Sequence, residues 1–501
     1  MQQRRSCLPA ATTALACAAL SRRPTALAVA RGVLLPAVLM LSVVWAFAGT
    51  LDACFTQDDW WFLEAIRRPW PDRAMLGGAL VPDFVRPLST YWWPLANQTL
   101  FGLEPWGFHL TQLAVLAATV HALYRALLAI TGLALPAALG TALYGFCQVH
   151  PFTLGWISGS IDGLAACGYA HALWALTAFW RGTGPRWPVW LAFLLGLLAK
   201  EHAIALPAAA FLAGRLRRSG VQPDDVGHGD VRPGGGQELD VRDDLRLWCG
   251  FAVVAIAFAG FWLTMTRGAV PTTHGTFGFD LGRLVVVLRD SVVVANPWTP
   301  HDGDHSRAWA MLPLLLAGLV AAQRRRAAVP QLGFALALWL LPAAVFVFTK
   351  RPESMQRYYA HFSVFGLALL VALLAAGVRH RSLAAIVAVL GLVHTGAAVH
   401  LARTLVAQHR SPSLFLAGRS GAVQAQLERL LADPGLREVW FLGVDGALWW
   451  AMGKGGQLRV MFPHLTATFD GHEAPLPADA VSTPQRLVLR AAAGDTFAIV
   501  R

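Results

Sequence analysis

Apolar runs of about 20 residues, the length that spans a bilayer's hydrocarbon layer, recur along this chain between short arginine clusters. The first, GVLLPAVLMLSVVWAFAGT, follows Arg31 directly. Only helices and closed barrels satisfy their backbone in lipid, and runs this long belong to helices. Overall, 56% of the residues are hydrophobic and 14% charged, with a mean hydropathy of +0.49. Soluble domains carry about 25% charge. The expected fold class is therefore mainly α: a polytopic transmembrane helical bundle.

The formal charge of +12 does not point to nucleic acid, because the arginines lie between apolar runs, where membrane topology needs them. The six cysteines show no CxxC spacing, and neither a disulfide framework nor a metal site is implied.

Segments and charge signs can be solved together, since loops rich in Arg or Lys stay in the cytoplasm. Residues 1–30 form a cytoplasmic N-terminal tail, and the transmembrane part runs over 31–402. Segment one (31–50) emerges outside, and residues 51–105 make a long external loop. Segments follow at 107–129, 134–150 and 161–180, the last bringing Arg181 and Arg186 inside. The run 187–213 is broken by Lys200 and Glu201. A single span would put RLRRSG outside, so two short limbs meeting externally at Lys-Glu are preferred. Residues 214–246 are a cytoplasmic loop rich in Gly and Asp. Spans at 247–266, 308–322, 330–349, 359–378 and 382–402 complete eleven segments. PTTHGTFGFD and KRPESMQR fall outside, and LGRLVVVLRDSVVVANPW reads as an amphipathic helix at the membrane interface.

From 411 to 501 the composition becomes that of a small external α/β domain. AVQAQLERLLADPG reads as a helix closed by Gly435, and REVWFLGV, QLRVMFP and TFAIVR read as strands.

Charges within spans or at their ends are costly, and in this chain they gather on the external side. They are Asp58 and Asp59, Arg86, His109, His150, Asp162, Lys200 with Glu201, and Arg357 beside Tyr358 and Tyr359. Adjacent carboxylates repel, so one of the pair has a raised pKa, which suits a general base. Lys200 and Arg357 could hold the phosphate of a lipid. Each also has a plainer reading. Trp60 and its aromatic neighbours could form an interfacial belt, Lys200 and Glu201 a structural ion pair, Arg86 a loop cap, and the histidines satisfied core residues.

In order, TQDDW (56–60), VRPLS (85–89), GFHL (107–110), VHPFTLGWISGSIDGLAA (149–166), LLAKEHAIALP (197–207) and MQRYYAHFSVFG (355–366) resemble the GT-C superfamily of polyprenyl-phosphate-sugar glycosyltransferases. The likeness covers residues 30–400 and is to bacterial relatives of the tetratricopeptide-containing protein O-mannosyltransferases. It implies that Asp58 and Asp59 meet the acceptor, one as base, with inversion in a single displacement. Lys200 and Arg357, with Arg86 third, would bind the donor phosphate. Trp60, Glu201, His109, His150, Asp162 and Tyr358 would support the site or line the sugar. No cofactor is fixed; some members hold a divalent metal ion near such acids and others do not. The implied partners are membrane lipids, a lipid-linked sugar donor and an envelope acceptor.

Three departures from the family pattern stand out. Gln112 and Leu116 replace an asparagine and a second histidine after FHL, Gly159–Ser160 stands for Gly-Arg, and the helical repeats give way to the small C-terminal domain. Low lysine and high Ala, Gly and Arg content point to a bacterial inner membrane with the site periplasmic. The alternative function is a transporter or flippase for a lipid-linked or anionic substrate, for which intramembrane Lys, Glu and His are equally natural. It predicts internal hydropathy repeats and polar span centres, and neither is visible.

Overall fold

In the computed structural model, residues 30–67, 85–218, 241–265, 281–298, 329–345 and 357–500 are described, apart from 379, 474, 478 and 479. The N-terminal tail, most of the Gly- and Asp-rich loop, PTTHGTFGFD, the segment at 308–322 and all of KRPESMQR except the Arg357 backbone lie outside them.

The first apolar run forms α1 (Leu35–Phe47), entered by a π turn and left by a 3-10 turn. The external loop is itself structured: α2 (Asp58–Ile66) and α3 (Trp93–Phe101) lie within it. α4 (Pro105–Thr131) starts on proline, whose missing N–H costs nothing at a helix start, and stops at left-handed Gly132. α5 (Ala134–Gly145), the short α6 (His150–Leu154) and α7 (Ser160–Trp180) follow. α8 (Trp187–Ala199) and α9 (Ala205–Arg218) are the two limbs of the expected hairpin, joined by a 3-10 turn at Glu201–Ile204. α10 (Val241–Met265) begins earlier than expected, because VRDDLR continues the helix as a charged first turn.

α11 (Leu281–Ala295) is the expected amphipathic helix, and its polar side is buried in protein. Its polar residues Arg283 and Asp290 are both 4% exposed while Leu281 and Val285 face outward, and it packs on α12 (Val329–Ala344). The amphipathic pattern marked a polar face; protein, not headgroups, receives it. α13 (Val364–Gly377) and α14 (Arg381–Ala407) close the bundle.

Among the described residues, four helical stretches are long and apolar enough to cross a membrane unaided: Arg31–Asp52, Pro105–Thr131, Leu245–Thr264 and Ser382–Ala407. Leu392, 66% exposed on α14, and Ile256, 71% exposed on α10, are stable outward only where lipid replaces water. The chain is a multi-pass membrane protein. Its core lies among α4, α5, α7, α8, α12 and α13.

The C-terminal domain comprises α15 (Pro412–Leu430), α16 (Gly446–Ala451), α17 (Gly456–Met461) and strands β1 (Glu438–Leu442), β2 (Thr466–Phe469), β3 (Arg486–Ala492) and β4 (Thr496–Ile499). The sheet order is β2-β1-β3-β4, parallel except for the β3–β4 pair. Phe441 and Phe469 stack at 4.6 Å in its core. Two expectations fail here. QLRVMFP is mostly the helix α17, seated with Gly456 against Trp60, and the long helix ends at Leu430, leaving Gly435 in a turn where its N–H bonds Asp433.

Candidate active site

α2 begins abruptly, because Gln57 sits at φ 53°, a conformation side chains other than glycine avoid. The turn sets Asp58 and Asp59 in the first helical turn, where the helix dipole favours anions. The two carboxylates then part ways. Asp59 is 1% exposed and accepts three hydrogen bonds, from Thr56 N–H (2.9 Å), Ser158 N–H (2.6 Å) and the Ser158 hydroxyl (2.6 Å). Asp58 is half-buried, and among the described residues no donor meets its carboxylate. α2 lies outside the membrane-length helices. Burial pushes Asp59 up to about 7 against the pull of its hydrogen bonds, with the Asp58 charge adding to the rise. Burial likewise pushes Asp58 up to about 6, opposed by the charge of Lys454.

Ser158 lies in the turn before α7, and Gly159 beside it has no room for a side chain: a Cβ there would stand 2.3 Å from the Thr153 carbonyl. α7 carries Asp162 in its own first turn. Asp162 takes a 2.5 Å hydrogen bond from Lys200 Nζ, and both side chains are almost wholly buried, 6% and 4% exposed. Next along the chain, Glu201 receives Arg86 in a two-pronged contact, Nε at 2.8 Å and Nη2 at 2.5 Å. The plainer reading, an ion pair between Lys200 and Glu201, gives way to these two pairs. Lys200 has extended backbone at the α8 break, so neighbouring side chains diverge and each finds its partner elsewhere.

The Tyr359 ring centroid lies 5.6 Å from Lys200 Nζ. Arg357 and Tyr358 open the same 3-10 turn, and their side chains lie outside the described residues. One end of the bundle thus gathers Asp58, Asp59, Asp162, Lys200, Glu201 and Arg86.

His109 and His150 are core residues. His109 Nδ1 donates to the Leu154 carbonyl at 2.7 Å, and His150 Nε2 to the Tyr144 carbonyl at 2.9 Å. Gln112, the departure from the family's asparagine, donates to the carbonyls of Trp156 (3.0 Å) and Ile157 (2.7 Å). It braces the turn that presents Ser158. Trp60 does not line an open site: it is 1% exposed, edge-on to Phe55 at 5.3 Å, with its indole N–H 3.3 Å from Ser420 Oγ. Its neighbour Trp61 faces the C-terminal domain, donating to the Gly453 carbonyl at 2.6 Å. A divalent ion does not fit at Asp59, because three donors already converge on the carboxylate where a cation would need bare oxygens.

The backbone path can be compared with solved structures. ArnT from Cupriavidus metallidurans bound to undecaprenyl phosphate superposes with a TM-score of 0.50 at 14% identity, over 93% of this chain and 93% of that one. The chain shares the fold of that protein. The apo form of the same protein matches with a TM-score of 0.48 at 15% identity, over 91% and 92%. An oligosaccharyltransferase from Archaeoglobus fulgidus, tethered with an acceptor peptide, matches with 0.45 at 12%, over 89% and 64%. No protein-family model and no curated protein matches the chain.

Within this fold the sequence missed Ser158 and Lys454. A serine in the string ISGSI carries no signal of its own. Lys454 stands almost 400 residues from Asp58 and follows three apparently structural tryptophans and glycines.

Proposed function

We propose that the chain is an integral-membrane inverting glycosyltransferase that moves a hexosyl or pentosyl group from a polyprenyl-phosphate donor to a hydroxyl of a cell-envelope acceptor. The acceptor is a protein, a lipid or a glycan, met on the periplasmic face of a bacterial inner membrane, with the N-terminus cytoplasmic. The observation that carries this reading is the division of labour within the acidic pair. Asp59 is buried and anchored by three donors, while the half-exposed Asp58 has no donor on it among the described residues, at the same end of the bundle as two cations held by carboxylates.

Asp58 is the base. It takes the acceptor's O–H proton as that oxygen attacks the anomeric carbon, and the bond from that carbon to the lipid phosphate oxygen breaks. The leaving group is the polyprenyl phosphate. Arg86 and Lys200, oriented by Glu201 and Asp162, meet the charge that develops on it, with Arg357 as a third cation. The fold likeness to a protein crystallised with undecaprenyl phosphate supports this donor class.

The test is transfer from a panel of radiolabelled polyprenyl-phosphate sugars, using purified protein in liposomes with envelope extracts as acceptor. At least one donor should label an acceptor, with the anomeric configuration inverted. A retained configuration would overturn the single displacement. Absence of both transfer and donor binding across the panel would overturn the enzyme reading, and sugar-lipid translocation in the same liposomes would then be measured.

A further inference from the structure

The C-terminal domain does more than sit beside the bundle: it grips the start of α2. Ala451 accepts hydrogen bonds from Gln57 N–H (3.0 Å) and the Thr56 hydroxyl (3.3 Å), and Trp450 Nε1 donates to Gln57 Oε1 at 2.9 Å. The strained residue that launches the acid helix is thus held by the domain. Just beyond, Gly453, Lys454 and Gly455 all have positive φ, 60°, 51° and 82°. Gly453 is obligatory on two counts, since a Cβ would also stand 2.6 Å from the Gln57 carbonyl. This left-handed run turns the Lys454 side chain back over three indoles. Its Nζ lies 5.1 Å from the Trp61 ring, 5.5 Å from Trp449 and 4.7 Å from Trp450, each within cation–π range. The chain uses lysine only at 200, 350 and 454, among 41 basic residues, and both described lysines lie at this end.

We propose that the C-terminal domain is a working part of the catalytic centre, and that Lys454, fixed by Trp61, Trp449 and Trp450, is the positioning residue that serves as counter-cation to Asp58. This rests on Asp58 being the base. The cage removes the ammonium's freedom to wander to bulk water, so a charge that would be worth little on an open surface acts at one point. The downward pull of Lys454 on the burial-raised Asp58 agrees with the geometry. Among the described residues, the other charges on the elements packed against α2 are accounted for. On α2 itself, Asp59 is tied to Ser158, and Glu64 is bound at 3.0 Å by Arg459 of α17. Arg67 donates to the Val460 carbonyl. The turn and helix at 88–101 contribute buried Tyr91, and the turn at 157–159 has no ionisable side chain.

The test is the pH profile of transfer, from pH 5 to 8.5, by the full chain in liposomes, comparing wild type with Lys454→Gln, Lys454→Arg and Asp58→Asn. Removing the cation disfavours the carboxylate. The acidic limb of Lys454→Gln should therefore move to higher pH by roughly half a unit to one unit, the size expected of a half-exposed charge pair. Lys454→Arg should restore the wild-type limb. A Lys454→Gln limb that coincides with wild type, or a loss of rate at all pH values that arginine fails to restore, overturns the role of Lys454. If Asp58→Asn retains the wild-type rate, the base assignment itself fails. An inactive Asp58→Asn with an unmoved Lys454→Gln limb removes only the lysine.

Discussion

The Lys200–Asp162 pair offers a quantitative test of how the cations are held. Its two side chains are 4% and 6% exposed, and the Nζ–Oδ1 distance is 2.5 Å. Asp162→Asn keeps the shape but leaves a buried ammonium without its carboxylate, a change that costs about 3–5 kcal/mol. Arg86 also feels the Asp162 charge, so two cations would then share Glu201, whose side chain is 41% exposed and partly screened by water. The loss should therefore sit at the upper end of that range. Replacing both partners, as Asp162→Asn with Lys200→Met, removes the stranded charge and should recover most of the stability. The assay is reversible unfolding of the purified protein in mixed micelles, followed by tryptophan fluorescence. Added undecaprenyl phosphate should stabilise Asp162→Asn more than wild type, because the Asp162 carboxylate no longer competes for Lys200. A loss below about 1 kcal/mol for the single variant, or a double variant no better than the single one, would refute the argument that this pair is a closed, desolvated unit.

Other consequences can be measured on the same preparation. The rate should fall as pH drops through about 6, where Asp58 takes up its proton, and a rate that rises on acidification would contradict the base role. Stability should move the other way. Burial raises Asp59 from 3.8 unfolded to about 7 folded, so its contribution is complete below pH 4 and lost as pH rises through 7. Asp59→Asn should flatten that slope in pH-dependent unfolding. Ser158→Ala removes one of three donors on Asp59 and should cost about 1–3 kcal/mol, with kcat falling more than donor affinity. Gly453→Ala forces a side chain into a left-handed position against the Gln57 carbonyl. It should expose the linker before α15 to protease and lower the rate, and an undisturbed digest would contradict the docking.

Much of the bundle is legible in the chain because lipid leaves few options for an apolar run. α1, α4 and α14 follow from length and hydropathy alone, and the α8–α9 hairpin from the need to keep Arg215, Arg217 and Arg218 on one side. The acids and cations that converge at one end could be named, yet their pairing could not. Which carboxylate meets Lys200 depends on the backbone turning at residue 200 and on Gly159 letting the Ser158 turn close. In the C-terminal domain, QLRVMFP has alternating apolar residues, and a six-residue segment bounded by glycine and proline can satisfy either period. Contact with Trp60 decides for helix. β2 (TATF) has low apolar content, and β3 (RLVLRAA), though bounded by turn residues Pro484 and Gly494, was not singled out from the sequence. Long-range contact also explains Lys454, whose meaning arises only when the domain folds onto α2.

The central claim is that Asp58, rather than Asp59, removes the acceptor proton. Single-turnover transfer from the accepted polyprenyl-phosphate sugar, measured for wild type, Asp58→Asn and Asp59→Asn at matched donor occupancy, tests it directly. Asp58→Asn should bind donor as wild type does and transfer about 10²–10⁴-fold more slowly, the range for loss of a general base. Asp58→Asn transferring at the wild-type rate, while folded and saturated with donor, would contradict the account.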